Sequence, residues 1–159
     1  MKALNKRPRV KHFDYKGTYR YFITICSNNK AHLFKDDIFI NELIKALRDK
    51  SNIFRFKVWA FCFMPDHLHL LLEGIFPDSD LKMFVSSYKQ YTGYLYKEKV
   101  KNKLWQPSYY DHILRKDDDI LNIALYILDN PVRKNYVEHF LDYQFSGSFE
   151  FDRERCFLE

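Results

Sequence analysis

The sequence predicts an α+β fold: a ferredoxin-like antiparallel sheet with helices packed on one face. Three observations carry this. Runs of aromatic and β-branched residues, the mark of strands, are interleaved with stretches of helical spacing. Their order is strand, helix, strand, strand, helix, then a short extended piece and another helix, close to a split βαβ arrangement. Finally, 159 residues with 47% hydrophobic content suit one core. No repeat or linker interrupts the chain, so residues 1–159 read as a single domain with a basic arm at 1–12 and an acidic tail of unassigned role at 147–159.

Each element has its own local reason. Gly17 to Cys26 alternates and is rich in aromatic and β-branched residues, so it predicts a strand. Between Asp36 and Lys50, the residues Ile40, Leu43, Ile44 and Leu47 recur at helical spacing. Phe54 to Met64 is a second strand and His67 to Glu73 a third, with Pro65 and Asp66 as the break of a hairpin. Leu81 to Lys99 predicts a long, basic, tyrosine-rich helix. Lys103 to Tyr110 is a loop around Trp105 and Pro107, and His112 to Arg115 a short extended piece. Asp117 to Asn130 is the last helix, capped by one Asp of the 117–119 run and limited by Pro131.

The bulk composition narrows the function. A net charge of +5 favours an anionic partner, and 12 Tyr with 15 Phe suit stacking on unpaired bases as well as core packing. Cys26, Cys62 and Cys156 form no CxxC or Cys/His cluster, which argues against a structural zinc and for a reducing compartment. With no signal-peptide pattern at Met1 to Lys11 and no apolar run of membrane-spanning length, a cytoplasmic protein without membrane contact is expected.

The sharpest chemical feature is Met64-Pro65-Asp66-His67-Leu68-His69 and the three leucines that follow. On a strand, side chains two apart share a face, so His67 and His69 project together while Leu68 and Leu70 point into core. Two imidazoles on a rigid strand make half of a metal site. The plain alternative is a pair of histidines on an exposed strand face. Against it, polar residues on an apolar, central strand are costly without a partner.

The last helix supplies candidates for the rest. Its apolar stripe is Ile120, Ile123, Ala124, Ile127 and Leu128. Tyr126 flanks the stripe, and Asn130 stands one turn on, so a phenol and an amide oxygen face the same way. Read structurally, Tyr126 covers the edge of the core and Asn130 ends the helix. Read chemically, a divalent ion polarises a phosphate and the tyrosine hydroxyl attacks it. Other tyrosines compete: Tyr88, Tyr91, Tyr94 and Tyr96 on the lysine-rich long helix, and Tyr109 and Tyr110 in the tryptophan loop. The long helix is equally a stacking and phosphate-binding face or a charged helix with aromatic core residues.

Three segments in order carry a family resemblance across nearly the whole chain: His67-Leu68-His69, Leu104-Trp105-Gln106-Pro107 with Tyr109-Tyr110-Asp111-His112, and Tyr126-Ile127-Leu128-Asp129-Asn130-Pro131-Val132-Arg133. The chain resembles the single-tyrosine HUH transposases of the IS200-like group, specifically the REP-associated tyrosine transposases. The resemblance implies an HUH endonuclease-type sheet and a metal-dependent nuclease that cleaves and rejoins single-stranded hairpin DNA. It implies that Tyr126 is the nucleophile, forming a 5′-phosphotyrosine. His67 and His69 would hold Mg2+ or Mn2+, with Asn130 as third ligand and His112 near the site. DNA-contact candidates are Arg7, Arg9 and Lys11 of the arm, Lys89 of the long helix, Trp105, Gln106 and Arg115. Both monomers and homodimers fit the resemblance.

Rival readings remain. A non-catalytic single-stranded or hairpin nucleic-acid-binding module shares the basic, aromatic surface but leaves the Tyr126–Asn130 pairing unexplained. A histidine-triad hydrolase needs a third His where the chain has Leu71. A cupin needs many more strands.

Overall fold

The computed structural model describes residues 9–156, so Arg7 of the basic arm lies outside the described residues. Five strands form one antiparallel sheet: β1 (Arg20–Cys26), β2 (Phe56–Met64), β3 (His67–Gly74), β4 (Tyr110–Ile113) and β5 (Ser146–Gly147). Their spatial order is β4-β1-β3-β2-β5, which puts the histidine-bearing strand at the centre. Helices α1 (Asp37–Phe54), α2 (Leu81–Val100), α3 (Ile120–Leu128) and α4 (Asn130–Arg133) fill the connections. The carboxylates of Asp36, Asp80 and Asp119 accept backbone N–H groups of the first turns of α1, α2 and α3; of these caps, the one from the 117–119 run was expected.

The two sheet faces differ. Leu68, Leu70 and Leu72 of β3, with Ile23 and Ile25 of β1 and Phe61 and Phe63 of β2, pack under α1 and α2 in the larger core. Ala60, Cys62, Met64 and Leu71 line the other face, beneath Ala124, Ile127 and Leu128 of α3. The expectation of helices on one face is therefore corrected: α1 and α2 share a face, and α3 covers the opposite one. The reason lies in β3, whose leucines continue on both sides, so that each face demands an apolar cover.

A bulge sets which side chains meet each cover. Val58 pairs with Leu72, and Ala60 pairs with Leu71, so Trp59 is an extra residue in β2. Beyond it, Cys62 stands opposite His69 and Met64 opposite His67, while the bulkier Phe61 and Phe63 turn to the larger core. The hairpin between β2 and β3 is closed by only Pro65 and Asp66. At the far end of β3, a side chain at Gly74 would sit 1.9 Å from the Gly17 carbonyl oxygen, so this close approach of two backbones requires glycine.

The predicted last helix is divided. α3 ends at Leu128, and Asn130 opens the four-residue α4. Pro131 has no N–H to give to the preceding turn, so the chain restarts its helix instead of continuing it. The tail has structure that composition did not disclose. Ser146–Gly147 pairs with Phe61 and Cys62 as an edge strand. The Arg153 guanidinium donates to the carbonyl of Tyr143 and to Ser146 Oγ, both at 2.9 Å, tying the final helical turn Arg153–Cys156 to that strand.

Candidate functional site

His67 and His69 project from β3 onto the α3 side of the sheet, as period-two alternation requires. Their Nε2 atoms converge to 3.1 Å. Each ring is oriented from behind. His67 Nδ1 lies 2.6 Å from Asp66 Oδ1, and His69 Nδ1 lies 2.9 Å from Thr24 Oγ1 on β1. A carboxylate only accepts, so the proton of His67 belongs on Nδ1 and its Nε2 lone pair faces outward. A hydroxyl both donates and accepts, so Thr24 allows His69 to present an Nε2 lone pair as well. Burial, then the neighbouring His67 and Arg133, press the His69 pKa down from 6.5 to about 3, which keeps this ring neutral. The Phe22 ring meets His69 edge-on at 5.4 Å and limits its rotation.

The pair opens into a cavity of about 490 Å3. Asn130, brought over the sheet by α3 and α4, lines the same cavity and is itself buried. Sequence spacing found those three residues. It missed much of the wall, including Phe22 and Thr24 of β1, Lys30 and His32 after it, and Lys134 and Tyr136 after α4. No local signal marks them, because register and tertiary packing alone assemble them there. Only Asp66 had a cue, its place beside His67 in a two-residue turn.

The donor set fits a divalent ion. Ligand nitrogens about 2.1 Å from one ion and at a right angle stand about 3.0 Å apart, close to the spacing seen here. Asp66 behind His67 is the usual outer partner of a metal-binding imidazole. Among the described residues, no group of three or more His, Cys, Asp or Glu surrounds a point, so an ion would rest on two imidazoles and the Asn130 amide oxygen and keep open positions. Burial pushes the Cys62 thiol up to about 12 and raises that of Cys26, so neither supplies a thiolate at neutral pH.

Tyr126 sits one turn before Asn130 but is 58% exposed and is not part of the cavity wall. The Arg133 guanidinium covers its ring at 3.9 Å. His112 shares the sheet face with the pair, but it stands on β4 across from Phe22, is exposed and does not line the cavity.

The family described as Transposase IS200 like matches residues 15–130, from the first buried tyrosine to Asn130. This chain belongs to the IS200-like transposase family. A Haemophilus influenzae relative named among the REP-associated tyrosine transposases is 33% identical over 145 residues, covering 84% of this chain and 82% of that protein. The REP-associated tyrosine transposase of Escherichia coli is 25% identical over 133 residues, with 82% and 76% covered. A REP-associated tyrosine transposase solved bound to a REP hairpin shares the fold, with a TM-score of 0.70 at 22% identity over 88% of this chain and 82% of that one.

Several of the DNA-contact candidates of this transposase have partners within the protein. Trp105 is 4% exposed, packs 5.3 Å from Phe34, and donates its indole N–H to Thr92 Oγ1. Trp105 thus anchors the loop to the core. Lys89 donates to the carbonyls of Gln106 and Ser108, and burial, then Arg9 and Lys103, lower its pKa to about 8. Its ammonium braces the loop, and Gln106 takes part through its backbone, whose N–H bonds the Cys26 carbonyl. Arg9 lies over the Tyr109 ring at 4.2 Å and lines a separate hollow with Lys89 and Ser108. Lys11 and Arg115 are exposed. On α2, Tyr88 and Tyr96 are core residues, while Tyr91 and Tyr94 face outward.

Proposed function

We propose that this transposase nicks and rejoins single-stranded DNA beside a hairpin through a 5′-phosphotyrosine on Tyr126. The carrying observation is that the His67 and His69 Nε2 atoms and Asn130 open on one cavity, one helical turn from an exposed tyrosine. A Mg2+ or Mn2+ ion held by His67, His69 and Asn130 would polarise the scissile phosphate. The chain's own residues do the rest. Thr24 and Asp66 fix the two imidazoles. Lys30 and Lys134, on the cavity rim, neutralise the DNA backbone. The Tyr126 oxygen bonds to phosphorus and its proton passes to water, while the bond from phosphorus to the 3′-oxygen breaks and that oxygen leaves protonated. Attack by a 3′-hydroxyl reverses these steps and rejoins the strand.

The hairpin substrate is supported by the relatives' names and by the solved transposase bound to a REP hairpin. Arg9, Lys11 and Arg115 are the proposed backbone contacts outside the cavity. Among the described residues, no helix is long and apolar enough to cross a membrane. Chromosomal DNA as substrate supports a cytoplasmic location. The competing reading, a hairpin-binding module without chemistry, draws on one observation, the Tyr126 ring outside the cavity wall.

One experiment separates them. Wild type and Tyr126→Phe are incubated with labelled hairpin carrying a single-stranded flank, with Mn2+, Mg2+ or chelator, and run on denaturing gels. The expected result is a metal-dependent covalent band, absent in the variant. A band that survives the substitution moves the nucleophile elsewhere. Tight binding with no band in the wild type favours the binding module.

A further inference from the structure

Arg133 touches every part of the site that the tyrosine helix brings. Its Nη1 donates to the Tyr126 carbonyl at 2.8 Å and lies 3.6 Å from Asp129 Oδ2. Its Nη2 donates to Asn130 Oδ1 at 3.3 Å. Its Cζ stands 3.9 Å above the Tyr126 ring, and its charge reaches His69. One side chain thus engages the phenol ring and the amide oxygen assigned to the metal. Both are held in an arrangement in which Asn130 lines the cavity and Tyr126 does not.

We propose that Arg133 is a positioning residue for the reaction: it holds the Tyr126 ring and the Asn130 amide oxygen until the DNA phosphate takes up its guanidinium. The proposal rests on Tyr126 as nucleophile. The relative strengths favour the exchange. A partly exposed guanidinium on an aromatic face, with one good bond to a neutral carbonyl, a long bond to a neutral amide and a solvent-screened carboxylate 3.6 Å away, is held by neutral and screened partners. A phosphate offers the same fork two charge-assisted bonds in one plane. Once the guanidinium turns to phosphate, the ring of Tyr126 is released beside that phosphate and Asn130 Oδ1 is free to ligate. The Asp129 carboxylate on the same turn keeps the guanidinium within reach during the exchange. A lysine keeps the charge but neither stacks on the ring nor forms the fork.

The test compares wild type, Arg133→Ala and Arg133→Lys. Three quantities are read: the single-turnover rate of covalent band formation at saturating hairpin DNA with Mn2+, the Kd for the same DNA in chelator, and Mn2+ binding by the DNA-free protein, followed by electron paramagnetic resonance. Arg133 is on the surface, and melting curves report whether each variant is folded. The expected result is a rate at least about tenfold lower in both variants while the Kd for DNA moves less than the rate. Mn2+ binding by free Arg133→Ala becomes tighter, because Asn130 Oδ1 is no longer shared. A wild-type rate in Arg133→Ala overturns the proposal, as does full rescue by lysine. If Arg133→Ala does not fold, the lysine variant decides alone. Weaker Mn2+ binding in folded Arg133→Ala overturns the role at Asn130. A wild-type protein that forms no band, or a band retained in Tyr126→Phe, refutes the nucleophile assignment itself and is told apart by those two controls.

Discussion

His69 shows how much one largely desolvated imidazole demands of its surroundings. Its folded pKa of about 3 lies below its ordinary 6.5, mainly because burial disfavours the cation. In the unfolded chain the same ring gains a proton as pH falls through 6.5, while the folded chain refuses it until about pH 3. The stabilisation is therefore complete above pH 6.5 and is lost as pH falls from there toward 3, at up to about 1.4 kcal/mol per pH unit for one group. In chelator, the melting midpoint of wild type should fall more steeply from pH 6.5 to 4.5 than that of His69→Gln. Coincident slopes would mean that His69 is not held neutral. Trp105, a DNA-contact candidate through the resemblance, also shows what the sequence does not carry: only the distant Thr92 hydroxyl reveals that its N–H is satisfied inside the core.

At the scale of elements, α3 carries Tyr126, the proposed nucleophile. The Asp119 side chain accepts the N–H groups of both Leu121 and Asn122 at its start, and its removal leaves those donors unpaired in the first turn. Asp119→Ala should cost about 1 kcal/mol, read as a lower melting midpoint, with the Kd for hairpin DNA little changed. A change within error would mean that packing of Ala124, Ile127 and Leu128 alone holds the helix. The α3 cap, the hairpin and the histidine face were legible because each is local: an Asp before a periodic run, a Pro-Asp break, a spacing of two. β5 was not, because a two-residue strand has no period and exists only through pairing with Phe61 and Cys62. The side on which α3 packs was equally silent, since the leucines of β3 serve both faces. Asn130 could be paired with Tyr126 from helical spacing. That its side chain reaches the histidine cavity while the tyrosine ring stays outside depends on the break at Asp129 and on Arg133, neither of which a helical wheel contains.

For the whole molecule, what matters is that the histidines and Asn130 can meet on one cavity within a single copy. The histidines from β3 and Asn130 beside α3 come together within a single copy, because α3 packs on the sheet of its own chain. Mixing His67→Ala with Tyr126→Phe should therefore give no covalent band on hairpin DNA. A band restored by mixing would mean that partners exchange their tyrosine helices and that the active assembly is a homodimer. The net charge of +5 gives such an enzyme a general pull toward DNA. The cavity, walled by Phe22, Met64 and Tyr136 between its lysines, offers apolar contact that salt does not screen.

The extra residue at Trp59 reaches further than its own neighbourhood. A β-strand counts in odd and even, and the bulge changes that count once before the chain turns at Pro65 and Asp66. Every side chain of β2 from Ala60 to Met64 owes its face to this single step, and so do the pairings of Cys62 with His69 and Met64 with His67. The stretch consequently behaves like a reading frame. It can absorb replacements one at a time. A gain or loss of one residue in β2 would turn Cys62 and Met64 away from α3 and bring the bulkier Phe61 and Phe63 beneath it, beside the histidine pair.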